Sequence, residues 1–276
     1  MKFYIAAFFF FSHYIFCNAQ GITEQSSEPV EINCIYKLTF KTDSSSNVFH
    51  FDNQLLQIAR NFSKYESKGQ IMADSLLNSF STMPFNQSSA NFYMQQRSKL
   101  PAYRTTFKIY KLRQSKIIRF YDRISINDFF YDESDNLFKW TILSDKKNIL
   151  GYSCQKAVTA FAGRIWDVWF TRQIPISDGP YKFQGLPGLI LKAEDTKNNF
   201  IFEITSLSKA TNQLILTLPS ASSARKTTKY ELRRGREANR KSGFSQLTSS
   251  GELSVKNPEQ IQRQQSAKVY NPIELK

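Results

Sequence analysis

The sequence is poor in the residues from which metal centres and many catalytic sites are built. Its 276 residues include only two histidines and three cysteines. His13 and Cys17 lie in the apolar N-terminal stretch, so the rest of the chain contains only His50, Cys34 and Cys154. One histidine and two separated cysteines do not complete a zinc tetrad. The sequence therefore predicts no metal site and no cofactor, and we expect His50 to be an ordinary polar residue of a strand or loop.

Motifs that carry chemistry through a fixed spacing are also missing. The sequence contains no G-x-S-x-G nucleophile elbow, no phosphate loop, no dinucleotide fingerprint and no EF-hand loop. Acidic residues do occur in pairs, such as Glu194 with Asp195. A glycosidase, however, needs two carboxylates that face each other across a cleft, and spacing along the chain does not establish this. No catalytic residue is predicted.

One acidic residue stands among aromatic residues. Asp167 lies between Trp166 and Trp169, and a carboxylate beside aromatic rings is suited to bind a sugar or an ammonium group. These three residues are therefore a candidate binding surface. The alternative is that Asp167 forms an ion pair with a basic neighbour such as Arg164 or Arg172.

The N-terminus has the form of a secretory signal peptide. Lys2 precedes a mostly apolar run from Phe3 to Phe16, and the small residue Ala19 follows it. The run is shorter than the about 20 apolar residues that a membrane span needs. Residues 1–19 are therefore predicted to be removed on export, and the mature protein is expected in the periplasm, at the cell surface or outside the cell. The alternative is a lipid anchor on Cys17.

Export bears on the two remaining cysteines. An oxidising compartment permits a disulfide between Cys34 and Cys154. The alternative is that both are free and buried, where cysteine behaves as a small hydrophobic residue. The sequence does not decide between the two arrangements, because it does not show whether their Cβ atoms meet.

Basic residues are unevenly distributed. The chain has 37 Lys and Arg against 23 Asp and Glu, a formal net charge of +14. Eight of the basic residues crowd between Arg225 and Lys241. This stretch lacks the interleaved aromatic residues of a single-strand-binding surface, so no nucleic-acid partner is predicted. It is either a solvated segment or a contact for an anionic membrane surface or an acidic partner protein.

The hydrophobic pattern predicts a mainly β protein with one packed helix. Apolar side chains alternate with period two over Ile32–Phe40, and many short apolar or aromatic runs follow. Helical spacing of apolar residues predicts an amphipathic helix over Lys68–Phe80. We expect a domain over residues 30–219 in which an antiparallel curved sheet or half-barrel, like that of lipoprotein carriers, wraps around this helix. Residues 85–101 are expected to form a loop, and residues 220–276 a basic polar tail that is partly disordered.

The densest group of glycine and proline lies in the string PYKFQGLPGLILKAED, residues 180–195. Pro187 presets φ at the second position of a turn, and Gly188 suits the positive φ that a type II turn needs at the third. We therefore predict a type II turn over Leu186–Leu189, packed against Trp166 and Trp169. The six residues of this structural motif are Gly185, Leu186, Pro187, Gly188, Leu189 and Ile190.

This string resembles the GLPGLI family of secreted Bacteroidetes proteins. The likeness extends from Trp140 to Asp195, with weaker likeness on both sides, and the string Asn271-Pro272-Ile273-Glu274-Leu275 is similar to the C-terminus of the family. The family has no established activity. The resemblance implies a periplasmic or cell-surface accessory protein, and for some members a neighbouring outer-membrane barrel or receptor protein.

Two classes of function follow from these observations. The leading hypothesis is a non-enzymatic accessory protein of the cell envelope that binds a partner protein or an apolar ligand, which the aromatic content of 14% favours. The alternative is a hydrolase that uses acids such as Asp167 or Asp195. A cavity lined by aromatic residues would favour the first, and a cleft where desolvated carboxylates converge would favour the second.

The signal peptide yields a first prediction. The mature protein is expected to begin at Gln20, because Ala19 supplies the small residue before the cleavage site. N-terminal sequencing of the exported protein tests this. A retained leader, or a lipid on Cys17, would contradict it.

Overall fold

The structure is a computed structural model, and it describes residues 27–84, 86–210, 214–220, 223–249 and 270–275. For residues 241–249 it describes the backbone only. The predicted signal peptide and Cys17 lie outside the described residues. Among the helices of the described part, none has the length and apolar character needed to cross a membrane.

The described residues form fourteen strands and three helices. The strands are β1 (Ser27–Pro29), β2 (Ile32–Phe40), β3 (His50–Ile58), β4 (Phe62–Ser67), β5 (Lys108–Leu112), β6 (Ile117–Ile124), β7 (Asn127–Ser134), β8 (Thr141–Ile149), β9 (Tyr152–Phe161), β10 (Arg164–Thr171), β11 (Leu189–Asp195), β12 (Phe200–Lys209), β13 (Ile215–Thr217) and β14 (Arg225–Lys226). The helices are α1 (Lys68–Phe80), α2 (Gln87–Lys99) and α3 (Lys229–Ser249).

Twelve of these strands form one sheet in the order β14-β7-β6-β5-β4-β3-β2-β12-β11-β10-β9-β8. Neighbouring strands are antiparallel, except that β14 runs parallel to β7. The end strands β14 and β8 do not pair with each other, so the sheet stays open. β1 and β13 form a separate antiparallel pair. The predicted fold class, a mainly antiparallel open sheet with a packed helix, is confirmed.

Alternation of side chains places the core on one face of this sheet. On β2, Cys34, Tyr36 and Leu38 are buried while Lys37 between them is exposed. Rings from both halves of the sheet, such as Tyr65 on β4 and Phe202 on β12, belong to one hydrophobic core. Because strands so far apart share a core, the sheet must curve, as its right-handed twist allows.

The concave face is filled by the connection between β10 and β11, residues 172–188, which we call the crossing loop. The Tyr181 ring packs 5.5 Å from that of Phe107 and 6.2 Å from that of Phe202. The Phe183 ring packs 4.8 Å from that of Trp166. The loop therefore joins the two halves of the sheet through aromatic contacts.

The helix α1 has the predicted bounds but not the predicted position. It lies against β3 and β4 and buries only Gly69, Gln70 and Ala73. None of its side chains belongs to the hydrophobic core that the curved sheet encloses. The expectation that the sheet wraps around this helix was wrong, because the crossing loop brings larger aromatic side chains to the concave face.

Residues 86–100, expected to be part of a loop, contain the helix α2. Its N-terminus is a capping box, in which the Asn86 side chain accepts from the Ser89 N–H and the Ser89 hydroxyl accepts from the Asn86 N–H. No residue of α2 is buried. Phe92 and Tyr93 pack on Phe80 at the end of α1, with ring centroids 5.5 Å apart in both cases. Capping and local contacts support this helix, so hydrophobic periodicity did not reveal it.

The basic stretch after residue 220 is part of the fold rather than a peripheral tail. β14 extends the sheet, and α3 buries Leu232 and packs its Gly235 against Ile124 of β6. Residues 270–275 also return to the body, where Asn271 and Glu274 are buried. The helix α3 covers one end of the concave face.

The motif at residues 185–190 makes a tight turn of another kind than predicted. The Gly188 N–H donates to the Leu186 carbonyl at 2.8 Å, which closes a three-residue turn around Pro187. The Leu189 N–H donates instead to the Ile174 carbonyl at 2.9 Å. The φ angle of Gly188 is +157°, whereas a type II turn needs about +80° at that position. The type II prediction was wrong, because Ile174 takes the hydrogen bond that would define it.

Gly188 is nevertheless required, and the reason is steric. A Cβ atom there would lie 2.0 Å from the Thr171 carbonyl oxygen, closer than any real contact. We expect Gly188→Ala to lower the free energy of unfolding by about 3 kcal/mol, since neighbouring backbone must move. Gly151→Ala is the matched control, because Gly151 has φ +83° but nothing within 4 Å of its added Cβ.

The control should cost about 1 kcal/mol, the strain of a left-handed residue alone. Urea denaturation of both variants measures the difference. Equal losses would show that the close approach at Thr171 does not constrain the turn.

Candidate functional site

A buried lysine ties the crossing loop to two other parts of the chain. Lys182 is fully buried, and its ammonium donates to the Tyr131 hydroxyl at 2.9 Å. The same ammonium forms ion pairs with Glu133 of β7 and with Glu274 of the C-terminal segment. Lys229 of α3 bridges the same two carboxylates from outside, 2.5 Å from Glu274. This cluster joins a strand, the crossing loop, the helix α3 and the C-terminal segment.

A second buried cluster fixes the middle of the crossing loop. The Asp178 carboxylate forms ion pairs with Lys111 of β5 at 2.7 Å and with Arg113 at 2.9 Å. The Lys111 ammonium also donates to the carbonyls of Gly179 and Phe183, at 2.6 and 3.0 Å. Burial lowers the pKa of Lys111, and the adjacent Asp178 opposes that shift. Because acceptors of the crossing loop surround the Lys111 ammonium, this group holds the loop backbone against the sheet.

A third cluster holds the C-terminal segment. Arg164 of β10 pairs with Asp195 of β11 at 3.0 Å, and both side chains are buried. The same guanidinium donates to the Asn271 side chain and to the carbonyls of Pro272 and Ile273. The planar fork of arginine suits several acceptors at once. The Tyr181 hydroxyl of the crossing loop donates to the Glu274 carboxylate, so residues 271–274 lie beside this loop.

Carboxylate groups do converge in the protein interior, but they form ion pairs with basic side chains. Glu133 and Glu274 share Lys182 and Lys229. Burial raises the pKa of Glu274, but Lys182 and Lys229 together outweigh it, so that pKa lies below its usual value. A hydrolase would need one carboxyl group with a raised pKa as proton donor. This cluster is suited to hold the fold together rather than to transfer protons.

The concave face stays open at one end, where α3 and the C-terminal segment form a rim. A cleft of about 480 Å³ lies there, and four arginines line it: Arg104, Arg123, Arg236 and Arg240. Its apolar lining is largely aromatic and comprises Leu38, Phe40, Phe107, Phe120, Ile124, Tyr181, Phe200 and Tyr270. None of the described lining residues is acidic. We call this the arginine-rimmed cleft, and its volume falls within the usual range for small-molecule sites.

The candidate surface at residues 166–169 is not brought together by the fold. Trp166 points into the core and is fully buried, while Asp167 and Trp169 lie on the outer face of β10. Asp167 pairs with Lys156 of β9 at 2.8 Å, and Lys147 and Lys156 lie over the Trp169 ring. The ion-pair alternative is therefore confirmed, although with a cross-strand lysine rather than with Arg164 or Arg172.

The two cysteines are free and buried, which contradicts the disulfide hypothesis. Cys34 is on β2 and Cys154 on β9, with three strands between them in the sheet. Burial raises the pKa of Cys34 to about 12 and that of Cys154 to about 11. Both thiols therefore stay protonated at neutral pH, and neither is an activated nucleophile.

His50 is the first residue of β3 and has an ordinary environment. Its Nε2 lies 3.2 Å from the Thr42 hydroxyl, and its ring packs on Phe40. Partial burial and the nearby Arg104 lower its pKa. In the part of the chain that the structure describes, no group of three His, Cys, Asp or Glu side chains is arranged to hold a metal ion.

Sequence reasoning did not find the arginine-rimmed cleft. Its residues come from distant stretches, with Arg104 before β5, Arg236 and Arg240 on α3, and Tyr270 near the C-terminus. The signal that was available is the basic cluster at residues 225–241, two members of which form the rim. Arg104, which lines the same cleft, lies in a stretch of sequence without a hydrophobic pattern or a motif.

Fold and site define an open, curved β domain whose concave face is filled by its own loop and whose remaining cleft is cationic and aromatic. The family model described as "N-glycanase peptide, N-terminal domain" matches residues 60–231, more than half of the chain. The chain belongs to this family. The matched range includes Lys111 of β5 and the whole crossing loop, with Asp178 and Lys182.

Solved structures give the same fold. Two structures of PNGF-II, in different space groups, are 15% identical to the chain with TM-scores of 0.50 and 0.51. They cover 76% of this chain but only 34% and 33% of the PNGF-II chain, so the protein spans about a third of that length. At this identity the likeness concerns the fold alone. No curated protein matches the chain.

The Glu274 cluster predicts a specific dependence of stability on pH. The folded-state pKa of Glu274 is below 4.5, so its ionised form contributes stability above that pH and loses it as the pH falls through the lowered value. Glu274→Gln should lower Tm at pH 7 and flatten the fall of Tm between about pH 5 and 3. Glu203→Gln, on an exposed glutamate of β12, is the control.

Thermal unfolding followed by circular dichroism at several pH values measures both slopes. A Glu274→Gln protein with the same acid sensitivity as the Glu203→Gln protein would contradict an ionised Glu274 in the folded state.

Proposed function

We propose that this chain is an exported, non-enzymatic accessory domain of the cell envelope that binds an apolar ligand in its arginine-rimmed cleft. The observation that carries the proposal is the cleft itself, an aromatic-floored opening of about 480 Å³ at one end of the concave face. Apolar pockets with a few polar groups at the rim are the usual form of ligand sites. The leader at residues 1–19 supports export to the periplasm or cell surface.

Charge matching in the interior supports binding over hydrolysis. The buried carboxylates described above pair with Lys111, Arg164 and Lys182. The family name also favours an accessory role, since an N-terminal domain of an N-glycanase is one part of a larger chain. Membership of the GLPGLI family, inferred from residues 140–195 and 271–275, belongs to the same proposal.

Partners are proposed from the basic helix. Lys229 and Arg236 pair with buried acids, whereas Arg225, Lys226, Arg233, Arg234 and Arg240 are exposed. The exposed residues are suited to an anionic membrane surface or to the acidic rim of an outer-membrane barrel or receptor protein. No nucleic-acid partner is proposed.

A neutral apolar fluorophore, N-phenyl-1-naphthylamine, tests the proposal. Its fluorescence should rise on binding to the full protein, because the aromatic floor removes the dye from water. Thr42→Trp should remove most of that rise, since Thr42 lines the cleft and is exposed. Ser44→Trp adds the same side chain at an exposed position in the same turn but outside the cleft, and should leave the rise unchanged.

Equal fluorescence with both variants would overturn the assignment of the cleft. Hydrolysis of a glycosylated peptide by the purified protein, abolished by Asp167→Asn or by Asp195→Asn, would instead support the carboxylate-dependent hydrolase.

A further inference from the structure

We infer that the ligand of the arginine-rimmed cleft is an amphiphilic organic anion, with a carboxylate or phosphate group bound by Arg104 and an apolar body over the aromatic floor. This inference rests on the proposed function and specifies its ligand. It follows from the unequal pairing of the four arginines at the rim.

Two of those arginines already have acidic partners. Arg123 forms a bidentate pair with Asp128, and Arg236 pairs with the buried Asp122. The Arg240 guanidinium lies 4.9 Å from the centroid of the Tyr270 ring. Arg104 differs, because no described side chain pairs with its guanidinium.

Arg104 is also held in place by its backbone. The Asp52 carboxylate accepts from the Arg104 and Thr105 N–H groups at 3.2 and 3.1 Å, and from the Thr105 hydroxyl at 2.7 Å. Ser67 donates to the same carboxylate at 2.8 Å. Asp52 is thus saturated by the fold and is not available to neutralise the guanidinium, which stays exposed at the mouth of the cleft.

The positive charge of Arg104 acts on the neighbouring His50. Partial burial and, after it, the positive charge of Arg104 lower the pKa of His50. A cation without a partner beside an acid-free cleft attracts anions. Arginine binds carboxylate and phosphate oxygens through two parallel hydrogen bonds.

The aromatic floor of the cleft favours an anion with an apolar body over a purely inorganic anion. Phe107 and Phe120 pack with ring centroids 5.5 Å apart below the rim, and Phe200 lies beside them. A small hydrated ion would leave these rings uncovered, whereas a neutral apolar molecule would leave Arg104 unpaired. An amphiphilic anion satisfies both surfaces. Free fatty-acid-type anions and the headgroups of anionic lipids share this chemistry.

The test compares two molecules that differ only in charge. Isothermal titration of the full exported protein with dodecanoate and with dodecanol, at about 50 mM salt, should show tighter binding of dodecanoate by about tenfold or more. Arg104→Gln should reduce the affinity for dodecanoate to that for dodecanol. Arg172→Gln, which removes the same charge from an exposed position outside both the cleft and the basic helix, should leave both affinities unchanged.

The outcomes separate this inference from the proposed function. Equal binding of dodecanoate and dodecanol, unaffected by Arg104→Gln, would overturn the anion and leave the apolar ligand site standing. Binding of neither would overturn both. Co-sedimentation with phosphatidylglycerol vesicles identifies the source: retention lost in Arg104→Gln but kept in Arg172→Gln assigns a lipid headgroup, and dodecanoate binding without vesicle binding assigns a free amphiphile.

Discussion

The ammonium group of Lys182 lies where the separate parts of this molecule meet. It has no access to solvent, so its charge must be matched from within, and Glu133, Glu274 and Tyr131 supply that match. Tyr131 and Glu133 come from β7, and Glu274 comes from the C-terminal segment. Leaving one member of such a buried pair alone costs about 3–5 kcal/mol, so the crossing loop, β7 and the C-terminal segment depend on one another.

This dependence explains why the arginine-rimmed cleft lies at one end of the concave face. The crossing loop fills the middle through Tyr181 and Phe183, and Asp178 anchors it to β5 through Lys111. α3 and residues 270–275 then partly cover one end. The space that remains is bounded by rings that already belong to the core and by arginines from the added segments. A rigid floor with a charged rim is therefore a consequence of how the loop is held.

Parts of the fold followed from local pattern. The alternation over Ile32–Phe40 and the helical spacing over Lys68–Phe80 predicted β2 and α1 with the observed bounds, because burial on one face dictates each period. α2 was missed since it buries no side chain and depends on its Asn86 cap. The exposed edge strand β8 includes the polar residues 144–148, which show no alternation of apolar and polar side chains. Hydrophobic pattern reports burial, so unburied elements escape it.

The sequence by itself determined that this is a β-rich chain with a leader-like N-terminus, a Gly/Pro corner and no conventional catalytic motif, because period, composition and motif spacing are local properties. Only the tertiary structure decided that Cys34 and Cys154 stay apart, that Gly188 is required by the Thr171 carbonyl, and that Arg104 faces a cleft shared with α3. These facts depend on which strands become neighbours and on which charges find partners. Both are set by pairings between residues far apart in the chain, which no local pattern records.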